Sequence, residues 1–233
     1  MTRRVTEGVW LLDVGWPEPV GANAFLLSER SGNETTLVDA GLPIGRRSLD
    51  AEIRATGHDP SDVDRVLLTH YDLDHAGGLR GSAVDAPVYL GEADRRLLVG
   101  ADRPPWRHHK GAFHRVLRRL FSLSTTEVRG VRDRERIGGF RALHTPGHNP
   151  GHTIYLHEGR RVAFFGDLVN ERDGVYLPPP WLDSYDTDRA TESIRRVAAE
   201  LSADSIDHGC SGHGRPISPG AAEALRTLAE SLS

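Results

Sequence analysis

The sequence predicts an α/β protein in which β-sheets are covered on their outer faces by helices. Three observations predict it: short apolar or alternating runs recur along the 233 residues, helical patterns lie between and after them, and no internal repeat interrupts this order. A hydrophobic content of 38% and a charged content of 27% fit a globular chain better than a disordered one. We therefore expect one folded domain over residues 1–233.

The strand predictions rest on eight runs bounded by Gly, Pro, Asn or Asp, the residues typical of turns. In chain order the runs are VWLLDV, NAFLLS, TTLVDA, RVLLTH, APVYLG, GFRALHT, HTIYLHEG and RRVAFFGD. Five segments are predicted to be helices: GRRSLDAEIRATG, GEADRRLLVG, FHRVLRRLFSL, DRATESIRRVAAELS and PGAAEALRTLAESLS. In the fourth, Ile194, Val197, Ala198 and Leu201 form one apolar face, which predicts packing against a sheet.

The composition argues against several classes of protein. No apolar run approaches the roughly 20 residues that cross a bilayer, and Glu7 and Asp13 interrupt the apolar stretch that a signal peptide would need. Cys210 is the only cysteine, so no intrachain disulfide can form, as is typical of a reducing cytoplasm. The net charge of −4 is too small to indicate a nucleic-acid or membrane partner. We expect a cytoplasmic protein that binds neither.

One segment, about residues 95–129, differs from the rest of the chain in charge. It holds nine arginines and lysines against two acidic residues, and it contains DRPPWRHHKG with a Pro-Pro turn and paired histidines. We interpret it as an inserted loop and helix outside the core. Two interpretations stay open: a solvated cationic helix face, or an electropositive lid over an anionic small-molecule substrate.

The stretch LLTHYDLDHAGG, residues 67–78, concentrates metal-binding side chains directly after a hydrophobic run. His70, Asp72 and Asp74 alternate along it, which in extended geometry points them to one side, and His75 follows as the chain bends. Burial of such groups together would be costly without a partner, and a metal ion suits imidazole and carboxylate groups. Four ligands on one short loop cannot easily surround a single ion, so the pattern favours two neighbouring ions.

Three further candidates lie downstream, each after a run that is typical of a strand. His148 lies in HTPGHNPGHT, Asp167 ends VAFFGD, and His213 lies between glycines in GCSGHGRPI. Each alone is more typical of a loop or turn residue. Together, in this order and at strand ends, they indicate a metal centre at the rim of a sheet, where ligands are commonly held.

These residues make the chain resemble the metallo-β-lactamase superfamily. That family has an aspartate after an early strand, the pattern His-x-His-x-Asp-His, and then a distant histidine, an aspartate and a final histidine. The matching positions, over about residues 8–216, are Asp39 of TLVDAG, the cluster from His70 to His75, His148, Asp167 and His213. The resemblance implies a four-layer αββα sandwich with the metals at one edge between the two sheets, here with a short basic helical insertion.

The resemblance also implies which residues hold the ions. The first ion would be bound by His70, Asp72 and His148, and the second by Asp74, His75 and His213. Asp167 would bridge the two ions, and Asp39 would lie behind the ligands and fix the neighbouring loops. No residue is singled out for binding the substrate.

Position 72 departs from the family pattern, because the family usually has histidine where this chain has Asp72. A carboxylate is still a ligand, but it makes the first site one charge more negative, which favours Mn or Fe relative to the nitrogen-rich sites that suit Zn. We expect two divalent ions, with Zn as the first expectation and Mn or Fe as alternatives. The flavodiiron branch of the superfamily also has a carboxylate, a glutamate, at this position.

The expected chemistry is hydrolysis. Two divalent ions about 3.5–4 Å apart hold a bridging hydroxide that can attack a carbonyl, and one ion stabilises the developing oxyanion. Asp74 would take the proton of the attacking water. The leading prediction is a hydrolase of a small-molecule ester, thioester or lactone, in the glyoxalase II-like and lactonase-like group. The alternatives are an iron-dependent redox enzyme, flavodiiron-like or sulfur dioxygenase-like, and a binding protein with a vestigial site.

Overall fold

The strands of the computed structural model form two large sheets and one hairpin. The structure describes residues 2–15, 21–29, 34–45, 47–120, 127–202 and 204–232, without the side chains of 116–120. The first sheet contains seven strands in chain order: β1 (Arg3–Thr6), β2 (Val9–Leu12), β3 (Ala24–Ser28), β4 (Thr35–Val38), β5 (Arg65–Leu67), β6 (Val88–Gly91) and β7 (Val128–Val131). Strands β1–β4 pair antiparallel, and β4–β7 pair parallel.

The second sheet contains five strands, in the spatial order β14, β11, β10, β9 and β8. Their bounds are β8 (Arg136–Ile137), β9 (Phe140–His144), β10 (Thr153–His157), β11 (Val162–Gly166) and β14 (His208–Ser211). All neighbours pair antiparallel except β11 and β14, which are parallel. The hairpin consists of β12 (Asn170–Arg172) and β13 (Val175–Leu177).

Six helices are found in the described part of the chain. They are α1 (Leu49–Ala55), α2 (Leu73–Ala76), α3 (Glu92–Leu98), α4 (His109–Leu120), α5 (Thr187–Glu200) and α6 (Ala221–Ser231). The amphipathic pattern of α5 buries Ile194 and Val197, and Asp186 caps its N-terminus by accepting a hydrogen bond from the backbone N–H of Arg189. Among the described residues, no helix is long and apolar enough to cross a membrane.

Three apolar clusters separate four layers. Leu26 of β3 and Leu37 of β4 pack with Ile53 of α1 on the outer face of the first sheet. The next residues along the strands point the other way, so that Phe25 of β3 packs between the two sheets against Phe164 of β11, with ring centroids 5.5 Å apart. The third cluster joins the outer face of the second sheet to α5 and α6. Because both faces of each sheet are covered, the central strands are continuous apolar runs.

The structure confirms the predicted α/β class and the αββα order of layers. The five predicted helices correspond to α1 and α3–α6. The boundaries of the inserted segment, 95–129, stay a prediction: the described part of that range holds the end of α3, all of α4 and the start of β7, and residues 121–126 lie outside the described residues.

Candidate metal centre

The predicted ligands follow strands whose carboxyl ends lie at one edge of the two sheets. In the first sheet, Asp39 follows β4 and His70 follows β5, and these strands are parallel neighbours. In the second sheet, β11 and β14 are parallel, so that Asp167 and His213 leave the sheet on the same side. His148 lies beyond β9, which runs in the same direction as β11 because both are antiparallel to β10.

The loop after β5 differs from the extended geometry that the alternation of its residues suggested. Residues Leu73–Ala76 form a helical turn, α2, and Asp72 occupies the position just before it. The Asp72 side chain makes no capping hydrogen bond to that turn, so its carboxylate is free to point into the centre. This turn places Asp74 and His75 in one group of candidate ligands, while His70 and Asp72 belong to a second group.

The first cluster consists of His70, Asp72 and His148. Its ligand atoms are spaced as a metal would require: 3.2 Å from His70 Nε2 to His148 Nε2, 3.5 Å from His70 Nε2 to Asp72 Oδ2, and 3.3 Å from His148 Nε2 to Asp72 Oδ2. Ligands about 2.0–2.1 Å from a tetrahedral ion lie about 3.3–3.4 Å from each other. The three side chains are almost fully buried.

The second cluster consists of Asp74, His75 and His213, and Asp167 lies between the two clusters. Asp74 Oδ2 is 3.7 Å from His75 Nε2 and 3.5 Å from His213 Nε2. Asp167 presents Oδ1 to His75 Nε2 at 3.3 Å and Oδ2 to His213 Nε2 at 3.3 Å. The same Oδ2 is 3.5 Å from His148 Nε2 of the first cluster, so this carboxylate can reach ions on both sides.

Asp39 lies behind both clusters and orients one histidine in each. Its Oδ2 accepts a hydrogen bond from His75 Nδ1 at 2.9 Å and another from the Thr69 hydroxyl at 2.8 Å. Since the Thr69 proton is used in that bond, His70 Nδ1 must donate to Thr69 Oγ1, 2.9 Å away. Both imidazoles are therefore held through Nδ1 and turn Nε2 toward the centre, the arrangement that is typical of metal-binding histidines.

The buried polar atoms of the centre fit a bound cation. His75 Nε2 and Asp167 Oδ1 are buried and have no hydrogen-bond partner, which would cost free energy in a finished site. Imidazole and carboxylate groups form the donor set of zinc and of harder divalent ions. The residues therefore fit the divalent ions that the sequence predicts.

The protonation of the centre reflects its burial and its negative charge. Burial and the neighbouring His75 lower the pKa of His70 well below its ordinary value, so His70 is neutral and can coordinate an ion. Burial alone would lower the pKa of His213, but the Asp167 carboxylate raises it to about 9. Carboxylates that stabilise positive charge on an imidazole would equally stabilise a metal cation.

Sequence reasoning missed the groups that surround Asp72. Lys110 Nζ lies 2.8 Å from Asp72 Oδ2, while His114 Nε2 and Asn149 Nδ2 lie 3.2 and 2.5 Å from Oδ1. Burial raises the pKa of Asp72, but the interactions with Lys110, His70 and His114 outweigh it and hold the pKa well below its ordinary value. One signal was present, because Lys110 is the only lysine in an arginine-rich chain.

Two other residues near the ligand loops or between the sheets have structural roles. His152 supports the ligand loops, because its Nε2 accepts a hydrogen bond from the backbone N–H of Asp167 at 3.1 Å. Cys210 is buried in the apolar cluster between the sheets, where burial raises the pKa of its thiol. Neither side chain belongs to the groups of possible metal ligands found among the described residues.

Fold and site together define a two-sheet αββα protein with two adjoining clusters of histidine and aspartate side chains at the sheet edge that could hold metal ions. Its sequence matches the metallo-beta-lactamase superfamily over residues 17–204, and the chain belongs to that superfamily. The membership confirms the prediction of a metal-dependent hydrolase.

Individual proteins show the same similarity. The chain is 23% identical to a probable metallo-hydrolase of Bacillus subtilis (strain 168), YybB, over 92% of this chain and 91% of that protein. It is 26% identical to an N-acyl homoserine lactonase of a Bacillus species, over 82% of this chain and 71% of the relative. The crystal structure of a metallo-beta-lactamase family protein of Thermus thermophilus superposes with a TM-score of 0.69 at 24% identity, over 98% of this chain and 80% of that one.

Proposed function

We propose that this protein hydrolyses a small-molecule carboxylic ester, thioester or lactone at a centre of two divalent ions. The observation that carries the proposal is the convergence of seven ligand-type side chains from both sheets, two of which, His75 and Asp167, leave a buried polar atom without a partner. The similarity to an N-acyl homoserine lactonase supports a lactone or a related ester as the substrate.

The proposal assigns a role to each ligand. The first cluster would hold one ion and the second cluster the other, with Asp167 shared between them. When bound, such ions supply a Lewis acid and a water molecule of lowered pKa. Asp74 would accept the proton of the attacking water, because burial and the neighbouring Asp167 carboxylate raise the pKa of Asp74 and make it a better base than a free aspartate.

The exposure of the ligands indicates where a substrate would enter. The side chains of Asp74 and His213 are 27% and 18% exposed, whereas those of His70 and His75 are fully buried. The centre therefore opens on the side of the second cluster. The partly exposed position of Asp74 also suits a group that must release its proton to solvent.

The electropositive lid, the cytoplasmic location and the absence of a nucleic-acid partner stay predictions. Of the arginines on α4, Arg115 lies over the ring of Trp106, with its guanidinium carbon 5.5 Å from the ring centroid. The side chains of Arg118 and Arg119 lie outside the described residues. An anionic substrate is therefore proposed only on the charge of the segment.

The test combines metal analysis with a substrate screen. Protein purified under metal-replete conditions would be analysed for Zn, Mn and Fe, and assayed with an aryl ester, a thioester and an acyl lactone. We expect about two ions per chain and hydrolysis that a chelator abolishes and added metal restores. His75→Ala should lose the second ion and the activity, and Asp72→Ala should lose the first ion.

His58→Ala is the matched control, because His58 lies near Trp10, bonded to the Thr56 hydroxyl, away from the ligand clusters. This variant should keep both ions and full activity. Protein that retains no divalent ion, or that hydrolyses its best substrate at full rate after the metal is removed, would contradict the proposal. Iron at full occupancy without hydrolysis would instead favour the redox alternative.

A further inference from the structure

Lys110 is buried at the metal centre although it lies on α4, away from every strand that carries a predicted ligand. Lys110 is only 4% exposed, and a buried ammonium group is costly unless each of its protons has an acceptor. Here four acceptors lie close to Nζ: Asp72 Oδ2 at 2.8 Å, the Asp183 carbonyl oxygen at 2.8 Å, His148 Nε2 at 2.9 Å and the His148 carbonyl oxygen at 3.3 Å. The position is built for a compact cation with three donors, which a lysine provides and an arginine does not.

Two of these acceptors are the atoms with which the first cluster would bind its ion. Asp72 Oδ2 and His148 Nε2 face His70 Nε2 at 3.5 and 3.2 Å. An imidazole nitrogen has one lone pair, so His148 Nε2 cannot accept a proton from Lys110 and coordinate an ion at the same time. The ammonium group and the metal ion therefore compete for this atom.

The second cluster shows the opposite situation. Its ligand atoms face one another instead of an ammonium group: His75 Nε2 lies 3.3 Å from Asp167 Oδ1 and neither atom has a hydrogen bond, so an ion that binds there displaces at most a proton from the imidazole. An ion that enters the first cluster must break a hydrogen bond from a buried ammonium group and must also tolerate its charge. The two halves of the centre thus differ in the free energy that is lost when an ion arrives.

We propose that Lys110 is an internal cation of the first cluster, which makes the two metal sites fill in order: the second cluster first, and the first cluster only when Lys110 releases His148. The proposal rests on the function proposed above, since it concerns the ions of the same centre. An acceptor for the released ammonium group is at hand. Asp183 Oδ1 lies 3.9 Å from Lys110 Nζ, on a side chain that is 55% exposed.

The first experiment measures zinc binding to metal-free protein by calorimetry with a competing chelator. Wild type should bind one ion tightly and a second ion at least tenfold more weakly. Lys110→Met, which keeps the length of the side chain and removes its charge, should bind the second ion at least tenfold more tightly than wild type. Lys110→Gln serves as a second variant if the methionine variant does not fold.

Arg115→Gln is the matched control. It also removes one positive charge from α4, but Arg115 lies five residues after Lys110 and its side chain stacks on Trp106. It should change neither affinity by more than about twofold, because a partly exposed charge that stacks on Trp106 is screened by salt. A Lys110→Met protein whose second ion binds as in wild type, or more weakly, would overturn the proposal. Wild type that binds no ion tightly would instead contradict the proposed function.

A second experiment uses wild-type protein alone and exploits the single lysine. Protein labelled with ¹⁵N only at lysine Nζ gives one side-chain ammonium signal, visible because the group is buried and hydrogen-bonded. The signal should persist through the first equivalent of zinc and shift or disappear with the second. Loss of the signal with the first equivalent, or its persistence at two ions per chain, would show that Lys110 does not control the first cluster.

Discussion

Gly212 is the position at which the smallest substitution should remove the metals without unfolding the chain. A Cβ atom built at this glycine would lie 1.9 Å from Asp167 Oδ1 and 2.8 Å from His75 Cε1. The backbone of Gly212 does not have a left-handed φ, so alanine is not strained there. The backbone hydrogen bonds from Gly212 N to Gly166 O and from Asn23 N to Gly212 O would remain.

The size of the effect follows from these distances. Real Cβ contacts under 3.0 Å are essentially unknown and ordinary contact begins near 3.4 Å, so the Asp167 carboxylate would have to move by about 1.5 Å. Ligand distances in metal sites vary by only about 0.2 Å, so Asp167 would cease to be a ligand. Loss of a residue that only hydrogen-bonds to a metal ligand lowers metal affinity about 10–100-fold. Loss of a ligand shared by both ions should therefore lower the affinity by at least about 100-fold, which corresponds to about 2.8 kcal/mol of binding free energy.

The assay compares metal-free wild type, Gly212→Ala and Gly159→Ala by zinc titration and by thermal unfolding with and without zinc. Gly159→Ala is the control, because its added Cβ would meet nothing closer than 3.6 Å. We expect the two variants to unfold like wild type without metal, and only Gly212→Ala to lack the stabilisation by zinc. Wild-type zinc affinity in Gly212→Ala would refute the placement of Asp167 in the centre.

Three further predictions concern carboxylates around the ligand loops. Burial raises the pKa of Asp94 from 3.8 to about 7, so between these pH values the folded state holds a proton that the unfolded state releases, and the folded state loses stability as the pH rises through this window. The free energy of unfolding of Asp94→Asn, measured with denaturant, should therefore rise relative to that of wild type by about 3 kcal/mol between pH 5 and pH 8. Asp39→Asn should lower zinc affinity about 10–100-fold in a chelator titration. The carboxylate accepts from His75 Nδ1 and the Thr69 hydroxyl at Oδ2 and from the Thr69 backbone N–H at Oδ1, and an amide would turn its NH₂ group against one of these donors. Asp72→His should shift the metal preference toward Zn over Mn in a competition experiment, and an unchanged preference would contradict its place in the first cluster.

The sequence predicted the elements that follow strong local patterns. The apolar runs and amphipathic segments correspond to central strands and to α1 and α3–α6, because burial on one or both faces imposes a period that can be read directly. Short elements such as β8, with two residues, carry too little pattern to be read and depend on pairing with β9. The side chains that converge at the sheet edge could be selected from the sequence, because His and Asp follow strands in the order that the metallo-β-lactamase superfamily shows; their role as ligands stays a prediction.

The surroundings of the ligands could not be predicted, because they are brought there by the packing of distant segments. Lys110 and Asp72 are separated along the chain by α2, β6 and α3, and nothing in the local sequence of α4 indicates that its first turn reaches the first cluster. The loop at Asp72 shows the same limit. Its alternating residues suggested an extended chain, but α2 forms there, and Ala40 N donates a hydrogen bond to the His75 carbonyl.

The division of ligands between the two sheets has a consequence for the whole molecule. His70, Asp72, Asp74 and His75 come from the first sheet, and His148, Asp167 and His213 come from the second. A chain with one cysteine has no intrachain disulfide to join these halves, so each bound ion would act as a reversible cross-link between them. A ligand present at 100 times its dissociation constant adds about 2.7 kcal/mol to the stability of the fold that binds it. The supply of metal would then govern how long the two halves stay together, as well as whether the centre can react.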